Sequence, residues 1–148
     1  MSPKRADQME ILLVEDDLED ASITIQALRA GKVPCRLTLV RDGEEATCFL
    51  RREGQFARAP TPDLILLDML LPKKDGRELL ADIRHDDDLK EIPVVVLTGS
   101  LVHRSLLAAE GLQVDGFMTK PVDLEQFVEV VKSLRRSWLT ELVLAAVQ

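Results

Sequence analysis

The chain has 148 residues, of which 46% are hydrophobic and 30% are charged. This length suits one domain with one core, and the composition excludes a disordered, collagen-like or disulfide-built protein. With 19 basic and 26 acidic residues, the net charge of −7 argues against binding to nucleic acid or to anionic membranes.

Short β-rich apolar runs alternate with stretches of helical periodicity along the chain. The predicted strands are EILLVE (10–15), CRLTLV (35–40), DLILLD (63–68), IPVVVLT (92–98) and VDGFMT (114–119). The predicted helices cover 18–30, 43–53, 76–85 and 101–110, and a last helix begins near Leu124. The first, third and fourth strands are continuous apolar runs, as expected when helices cover both faces of a sheet. The pattern therefore predicts an α/β fold with a doubly wound, five-stranded parallel sheet, two helices on one face and three on the other.

The segments that target a protein to or across a membrane have recognisable patterns, and this sequence lacks them. No apolar run reaches the roughly 18 residues that a spanning helix needs. The first ten residues lack the apolar core of a signal peptide. We therefore expect a cytoplasmic protein, with Cys35 and Cys48 as reduced thiols.

Polar residues stand where the predicted strands end, which is the edge where open α/β sheets bind ligands. These residues are Glu15, Asp16, Asp17, Asp68, Thr98, Ser100, Thr119 and Lys120. Asp17 and Ser100 are favoured as helix caps. Asp68 is different, because the residues after it do not begin a helix. Lys120 closes a largely buried strand, so it needs an acidic partner at this edge.

Clustered carboxylates repel one another unless a cation lies between them. Mg²⁺ is commonly held by one or two carboxylates, and Asp16 and Asp68 fit that number, with a backbone carbonyl just past Asp68 as a further ligand. Lys120 and Thr98 add an ammonium and a hydroxyl. Together these groups can bind every oxygen of a phosphoryl group carried on a carboxylate.

Four blocks of the sequence, ILLVEDD, LILLDMLLPKKDG, VVVLTGS and GFMTKP, resemble the signature blocks of response regulator receiver domains, in order across residues 9–136. The resemblance implies a flavodoxin-like sheet with strand order 2-1-3-4-5. It also implies that Asp68 accepts a phosphoryl group from a sensor histidine kinase in a Mg²⁺-dependent reaction. Its implied metal ligands are Glu15, Asp16, Asp68 and the backbone carbonyl of Leu70.

The resemblance further implies that Thr98 and Lys120 bind the phosphoryl oxygens and that Thr98 and Phe117 form a conformational switch. It implies a cis peptide bond between Lys120 and Pro121, which would turn the ammonium into the acidic pocket. Leu70 departs from the many receivers that have a polar side chain there, which leaves the rate of dephosphorylation open.

The segments LPKKDGRE, DLKEIPVVVLT and SLRRSWLTELVL resemble stand-alone regulators of bacterial and cyanobacterial phytochrome kinases. This resemblance implies a phytochrome as the kinase partner and no output domain. An apolar stripe that includes Trp138 and Leu142 predicts that residues 137–148 extend the last helix beyond the sheet. We expect this extension to be covered in a homodimer through the C-terminal third of the chain, with a folded-back tail as the alternative.

Two other functions compete with the phosphorylated switch. A Mg²⁺-dependent phosphohydrolase with an aspartyl-phosphate intermediate needs a second acid, commonly two residues after the nucleophile, and that residue here is Leu70. A receiver-like protein that only binds partners is disfavoured because the acidic pair, Asp68, Thr98 and Lys120 are all present. The two histidines, His85 and His103, are expected to be solvated helix residues.

Overall fold

In the computed structural model, which describes residues 8–147, the strands are β1 (Met9–Val14), β2 (Cys35–Val40), β3 (Leu64–Asp68), β4 (Val94–Leu97) and β5 (Gly116–Met118). The helices are α1 (Leu18–Ala30), α2 (Gly43–Arg51), α3 (Gly76–His85), α4 (Leu101–Ala109), α5 (Leu124–Ser133) and α6 (Ser137–Val147), and a short 3₁₀ turn spans Gly54–Phe56. All strand pairs are parallel, in the order β2-β1-β3-β4-β5. The predicted fold class and strand order are confirmed.

The apolar strand residues alternate between two cores, one on each face of the sheet. In β1, Ile11 and Leu13 point into the core that α1, α5 and α6 cover, while Leu12 and Val14 point into the core under α2, α3 and α4. β3 and β4 divide their side chains in the same way. These strands are therefore buried on both sides, which explains their continuous apolar sequences.

The last helix does not continue beyond the sheet as predicted. α5 ends at Ser133, Arg135 has a left-handed backbone with φ of 56°, and α6 then packs back against the core on the α1 and α5 side. Leu139 and Val143 are 1% and 0% exposed there. The left-handed residue costs about 1 to 2 kcal/mol, whereas burying each of these side chains contributes about 1.5 to 3 kcal/mol. The folded-back arrangement therefore stabilises the chain.

This packing gives a direct prediction for stability. We expect Leu139→Ala to lower the free energy of unfolding by about 2 to 5 kcal/mol, because it removes a fully buried side chain and leaves a cavity. The measurement is urea denaturation, with Leu144→Ala, a half-buried leucine on the same helix, as the control. Equal losses for the two variants would contradict the packing of α6 into the core.

No helix among residues 8–147 is long and apolar enough to cross a membrane.

Candidate functional site

The register of the sheet brings the polar strand ends together. Glu15 follows β1, whose last pair with β3 is Val14 with Leu67, so Glu15 lies beside Asp68. Asp68 is the last residue of β3 and pairs with the last residue of β4, so Thr98 comes next at the same edge. Lys120 is the second residue after β5. The edge predicted from the sequence is thus the place where the acids and the amine meet, with Thr98 beside them.

The ammonium of Lys120 lies at the centre of the acidic cluster. Its Nζ atom is 2.7 Å from Glu15 Oε1, 2.8 Å from Asp68 Oδ2 and 3.2 Å from Asp20 Oδ2. The peptide bond between Lys120 and Pro121 is cis, as predicted. Lys120 therefore has the acidic partners that its position required, and Asp20 is a partner that sequence reasoning missed.

The buried Glu15 and the partly buried Lys120 shift each other's protonation. Burial, together with contact with Asp68, raises the pKa of Glu15 to about 7, although Lys120 opposes this rise. Burial alone would lower the pKa of Lys120, but its hydrogen bond to Asp68 and the nearby Glu15 carboxylate raise that pKa above its ordinary value. Three carboxylates thus share one ammonium, which leaves the pocket short of positive charge.

A divalent cation fits this excess of negative charge. Glu15, Asp16 and Asp68 each offer one carboxylate oxygen, and these three atoms lie within 4.8 Å of one another. Glu15 Oε1 is buried and is paired with Lys120 by charge, without the geometry of a hydrogen bond. Carboxylate oxygens are the ligands that Mg²⁺ prefers, so the donor set suits this ion.

Asp68 caps no helix, as its sequence context predicted. Its Oδ1 accepts a hydrogen bond from the Leu70 backbone N–H at 3.3 Å, while α3 begins later and has Asp75 as its N-cap. Gly76 opens α3 so close to this loop that a Cβ atom there would lie 2.6 Å from the Asp68 carbonyl oxygen. The glycine therefore allows α3 to pack against the backbone that carries Asp68. The Leu70 side chain is 71% exposed beside it.

Thr98 is buried, and its hydroxyl faces α4. Thr98 Oγ1 lies 2.9 Å from His103 Nδ1 and accepts a hydrogen bond from the Ser100 backbone N–H at 3.1 Å. The prediction that His103 is a solvated helix residue is therefore wrong, because residue 103 is in the first turn of α4, which faces back toward β4. His85 is exposed, as predicted.

Phe117, the other predicted switch residue, is half-buried in β5. The guanidinium carbon of Arg104 lies 4.4 Å from the centroid of its ring, within the range of a cation–π contact. Asp17 and Ser100 accept hydrogen bonds from backbone N–H groups in the first turns of α1 and α4, so both predicted helix caps are confirmed.

The predicted interface residues lie in α6. Trp138 and Leu142 are half-buried and pack against the chain's own core. Part of the apolar surface that a partner was expected to cover is therefore covered within the chain. Among the described residues of the C-terminal third, the large apolar side chains that are more than half exposed are on α4: Leu101, Val102 and Leu106.

Comparisons with known proteins show what the chain is similar to. The family described as response regulator receiver domain matches residues 11–132. Response regulator Rcp1 of Synechocystis sp. is 41% identical over 136 residues, which cover 92% of each chain. A solved structure of Rcp1 in its Mn²⁺-bound form superposes with a TM-score of 0.71 over 88% of this chain and 94% of that one, at 41% identity.

Two further solved structures are similar. The phosphorylated cyanobacterial phytochrome response regulator RcpA has 45% identity and a TM-score of 0.74, and the match covers 90% of this chain and 96% of that one. The bacteriophytochrome response regulator RtBRR has 39% identity and a TM-score of 0.80, with 86% and 78% covered. The similarity to phytochrome response regulators is thus found in both the sequence and the fold.

Proposed function

The chain belongs to the receiver domain family of response regulators, and on this basis we propose that Asp68 accepts a phosphoryl group from a sensor histidine kinase. The observation that carries the proposal is the position of Asp68, which caps no helix and lies 2.8 Å from the Lys120 ammonium. A carboxylate in this place is free to act as a nucleophile, and a fixed cation is ready to bind the oxygens of the incoming group. Residues 9–136 form the receiver domain in this proposal.

In the transfer step, a carboxylate oxygen of Asp68 forms a bond to phosphorus as the P–N bond of a phosphohistidine breaks. The electron pair of that bond leaves with the imidazole nitrogen of the kinase, which takes a proton from solvent. Lys120 neutralises one phosphoryl oxygen, and the Thr98 hydroxyl donates a hydrogen bond to another when its side chain turns toward Asp68. The result is an acyl phosphate on Asp68.

Mg²⁺ is the proposed cofactor. Glu15, Asp16, Asp68 and the backbone carbonyl of Leu70 would hold it, and the bound ion would neutralise the carboxylates and the phosphoryl oxygens. The three converging carboxylate oxygens support this assignment. The related Rcp1 has a solved Mn²⁺-bound structure, and Mn²⁺ also binds oxygen ligands.

The exposed Leu70 side chain supports a signalling role over enzymatic turnover. It provides no acid for a leaving group and no hydrogen bond for an attacking water. We therefore expect the acyl phosphate to persist longer than in receivers that have a polar residue at this position. We propose that the chain acts in the cytoplasm as a switch for partner proteins, and its net charge of −7 disfavours binding to nucleic acid.

The names of the relatives suggest the kinase. RcpA and RtBRR are described as a phytochrome and a bacteriophytochrome response regulator. We propose a phytochrome histidine kinase as the phosphodonor of this chain. Phosphotransfer from a purified bacterial phytochrome kinase, compared with transfer from an unrelated histidine kinase, tests the pairing. Equal rates from both kinases would contradict it.

We further propose that the chain forms a homodimer through its C-terminal third. Among the described residues there, the large apolar side chains that are more than half exposed are those of α4, of which Leu106 is 52% exposed. We expect Leu106→Asn to weaken dimerisation, measured by sedimentation with and without phosphodonor. Thr140→Ala on α6 is the control. A wild-type chain that stays monomeric in both conditions at micromolar concentration would contradict the dimer.

The experiment that tests the central proposal is phosphorylation by a small phosphodonor. We expect acetyl phosphate and Mg²⁺ to add one phosphoryl group to the wild-type chain, seen as an intact-mass increase. Asp68→Asn should show no increase, because an amide is a poor nucleophile, while Asp123→Asn, a cap residue on α5, should behave like wild type. Full labelling of Asp68→Asn would overturn the proposal.

A further inference from the structure

Consecutive residues of α4 contact both members of the proposed switch. His103 Nδ1 is 2.9 Å from Thr98 Oγ1, and the neighbouring Arg104 covers the ring of Phe117. Phe117 lies in β5, and Thr98 directly follows β4, the strand that pairs with β5. The first turns of α4 therefore reach the hydroxyl and the aromatic ring at the same time.

The contact with His103 closes a ring of hydrogen bonds around the start of α4. Thr98 Oγ1 accepts the Ser100 N–H, Ser100 Oγ accepts the His103 N–H at 3.3 Å, and the His103 imidazole returns to Thr98 Oγ1. A threonine hydroxyl has one proton and two lone pairs. With the Ser100 N–H on one lone pair, the contact with His103 takes either the proton or the second lone pair.

Both arrangements hold Thr98 on the α4 side. If the hydroxyl donates to Nδ1, its proton is not available to a phosphoryl oxygen. If Nδ1–H donates to the hydroxyl, two N–H groups fix the oxygen in place. In each case the Thr98 side chain must leave His103 before it can turn toward Asp68, and leaving a half-buried partner costs free energy.

We propose that His103 is a positioning residue that holds Thr98 in the unphosphorylated arrangement and so opposes phosphoryl binding at Asp68. This inference rests on the proposed function, because it concerns the hydroxyl that binds the phosphoryl group. His103 acts through Thr98 and contacts no reacting atom. Arg104 supports the same arrangement by covering Phe117 from the same helix.

The test is the affinity of the chain for beryllium fluoride, which mimics a phosphoryl group on a carboxylate, in the presence of Mg²⁺. We expect His103→Ala to raise this affinity by about three- to tenfold, the range that one hydrogen bond contributes. His103→Asn, which keeps a polar atom near the position of Nδ1, should restore an affinity near that of wild type. His85→Ala, the other histidine of the chain, should have no effect.

A double-mutant cycle separates positioning from a merely structural effect. In a Thr98→Ala background, His103→Ala should cause no further change, because the side chain on which His103 acts is absent. An equal gain in both backgrounds, or a lower or unchanged affinity in His103→Ala alone, would overturn the inference. A wild-type chain that binds no beryllium fluoride would overturn the proposed function and this inference with it.

Imidazole ¹H–¹⁵N spectra give a second readout on the unaltered chain. With two histidines in the sequence, the His85→Ala variant assigns the His103 signals. Adding Mg²⁺ and beryllium fluoride should shift the His103 Nδ1 resonance toward that of a free imidazole while His85 stays unchanged. A His103 resonance that does not move when beryllium fluoride binds would overturn the inference.

Discussion

Lys120→Met is expected to lower the rate of phosphorylation by acetyl phosphate by about 10²- to 10³-fold, the usual effect of removing one fixed charge-stabilising group. The ammonium lies within 3.2 Å of three carboxylates, so the variant leaves Glu15 and Asp68 without their cation. The side chain of Lys120 is 26% exposed, so the variant removes a partly buried charge and not a fully buried one. We therefore expect it to lower the free energy of unfolding by about 1 to 3 kcal/mol in the absence of metal.

Adding Mg²⁺ distinguishes the effect of Lys120 on stability from its effect on the rate of phosphorylation. The ion should recover the stability of Lys120→Met, because it also neutralises the carboxylates, but it should not recover the phosphorylation rate. Lys132→Met, which removes an exposed lysine of α5, is the matched control and should change neither quantity. Phosphorylation of Lys120→Met at the wild-type rate would contradict the role of the ammonium.

The second large effect is a dependence of the free energy of unfolding on pH. The folded-state pKa of Glu15 is raised from 4.5 to about 7, so the folded chain binds a proton more tightly than the unfolded chain. The stability that this group contributes is therefore fully present below pH 4.5 and is lost as the pH rises through 7. At about 1.4 kcal/mol per pKa unit, the loss is about 3 kcal/mol at most.

Glu15→Gln should remove this pH dependence from the metal-free chain, because an amide does not titrate in this range. The measurement is urea denaturation in EDTA at pH 5 and at pH 8, with Glu19→Gln on the exposed side of α1 as the control. Saturating Mg²⁺ should also reduce the loss in wild type, since the ion binds the deprotonated carboxylate. An unchanged pH dependence in Glu15→Gln would show that another group is responsible.

The sequence was sufficient for the parts of the fold and site that depend on the strands. Continuous apolar runs identified the strands, and parallel strands place their carboxyl ends at one edge, which brings Glu15 and Asp68 together. The bounds of α1 and α3 were also predicted correctly, because Asp17 and Asp75 cap them and each is followed by helical periodicity.

The contacts that the sequence did not predict depend on the direction in which a helix residue points or on packing between distant segments. His103 lies five residues after Thr98, and the contact between them exists only because the first turn of α4 faces back toward β4. Asp20 lies 100 residues from Lys120 in the chain. It carried one signal, an acid in the first turn of the helix that follows Glu15.

The break between α5 and α6 had no sequence signal. Leu134, Arg135 and Arg136 include no glycine or proline, and the apolar spacing continues through them. The turn forms because Leu139 and Val143 pack into the core on the α1 and α5 side of the sheet. This is a long-range contact, and the hydrophobic periodicity of the sequence gives no sign of it.

The measurement that most directly tests phosphoryl acceptance by this chain is chemical location of the acyl phosphate. The wild-type chain is phosphorylated with acetyl phosphate and Mg²⁺, reduced with borohydride and analysed by peptide mass spectrometry. Reduction converts an aspartyl phosphate to homoserine, so we predict homoserine at position 68 and unmodified aspartate at positions 16, 17 and 20. Homoserine at any of those three positions, with intact Asp68, would contradict the assignment of Asp68 as the phosphoacceptor.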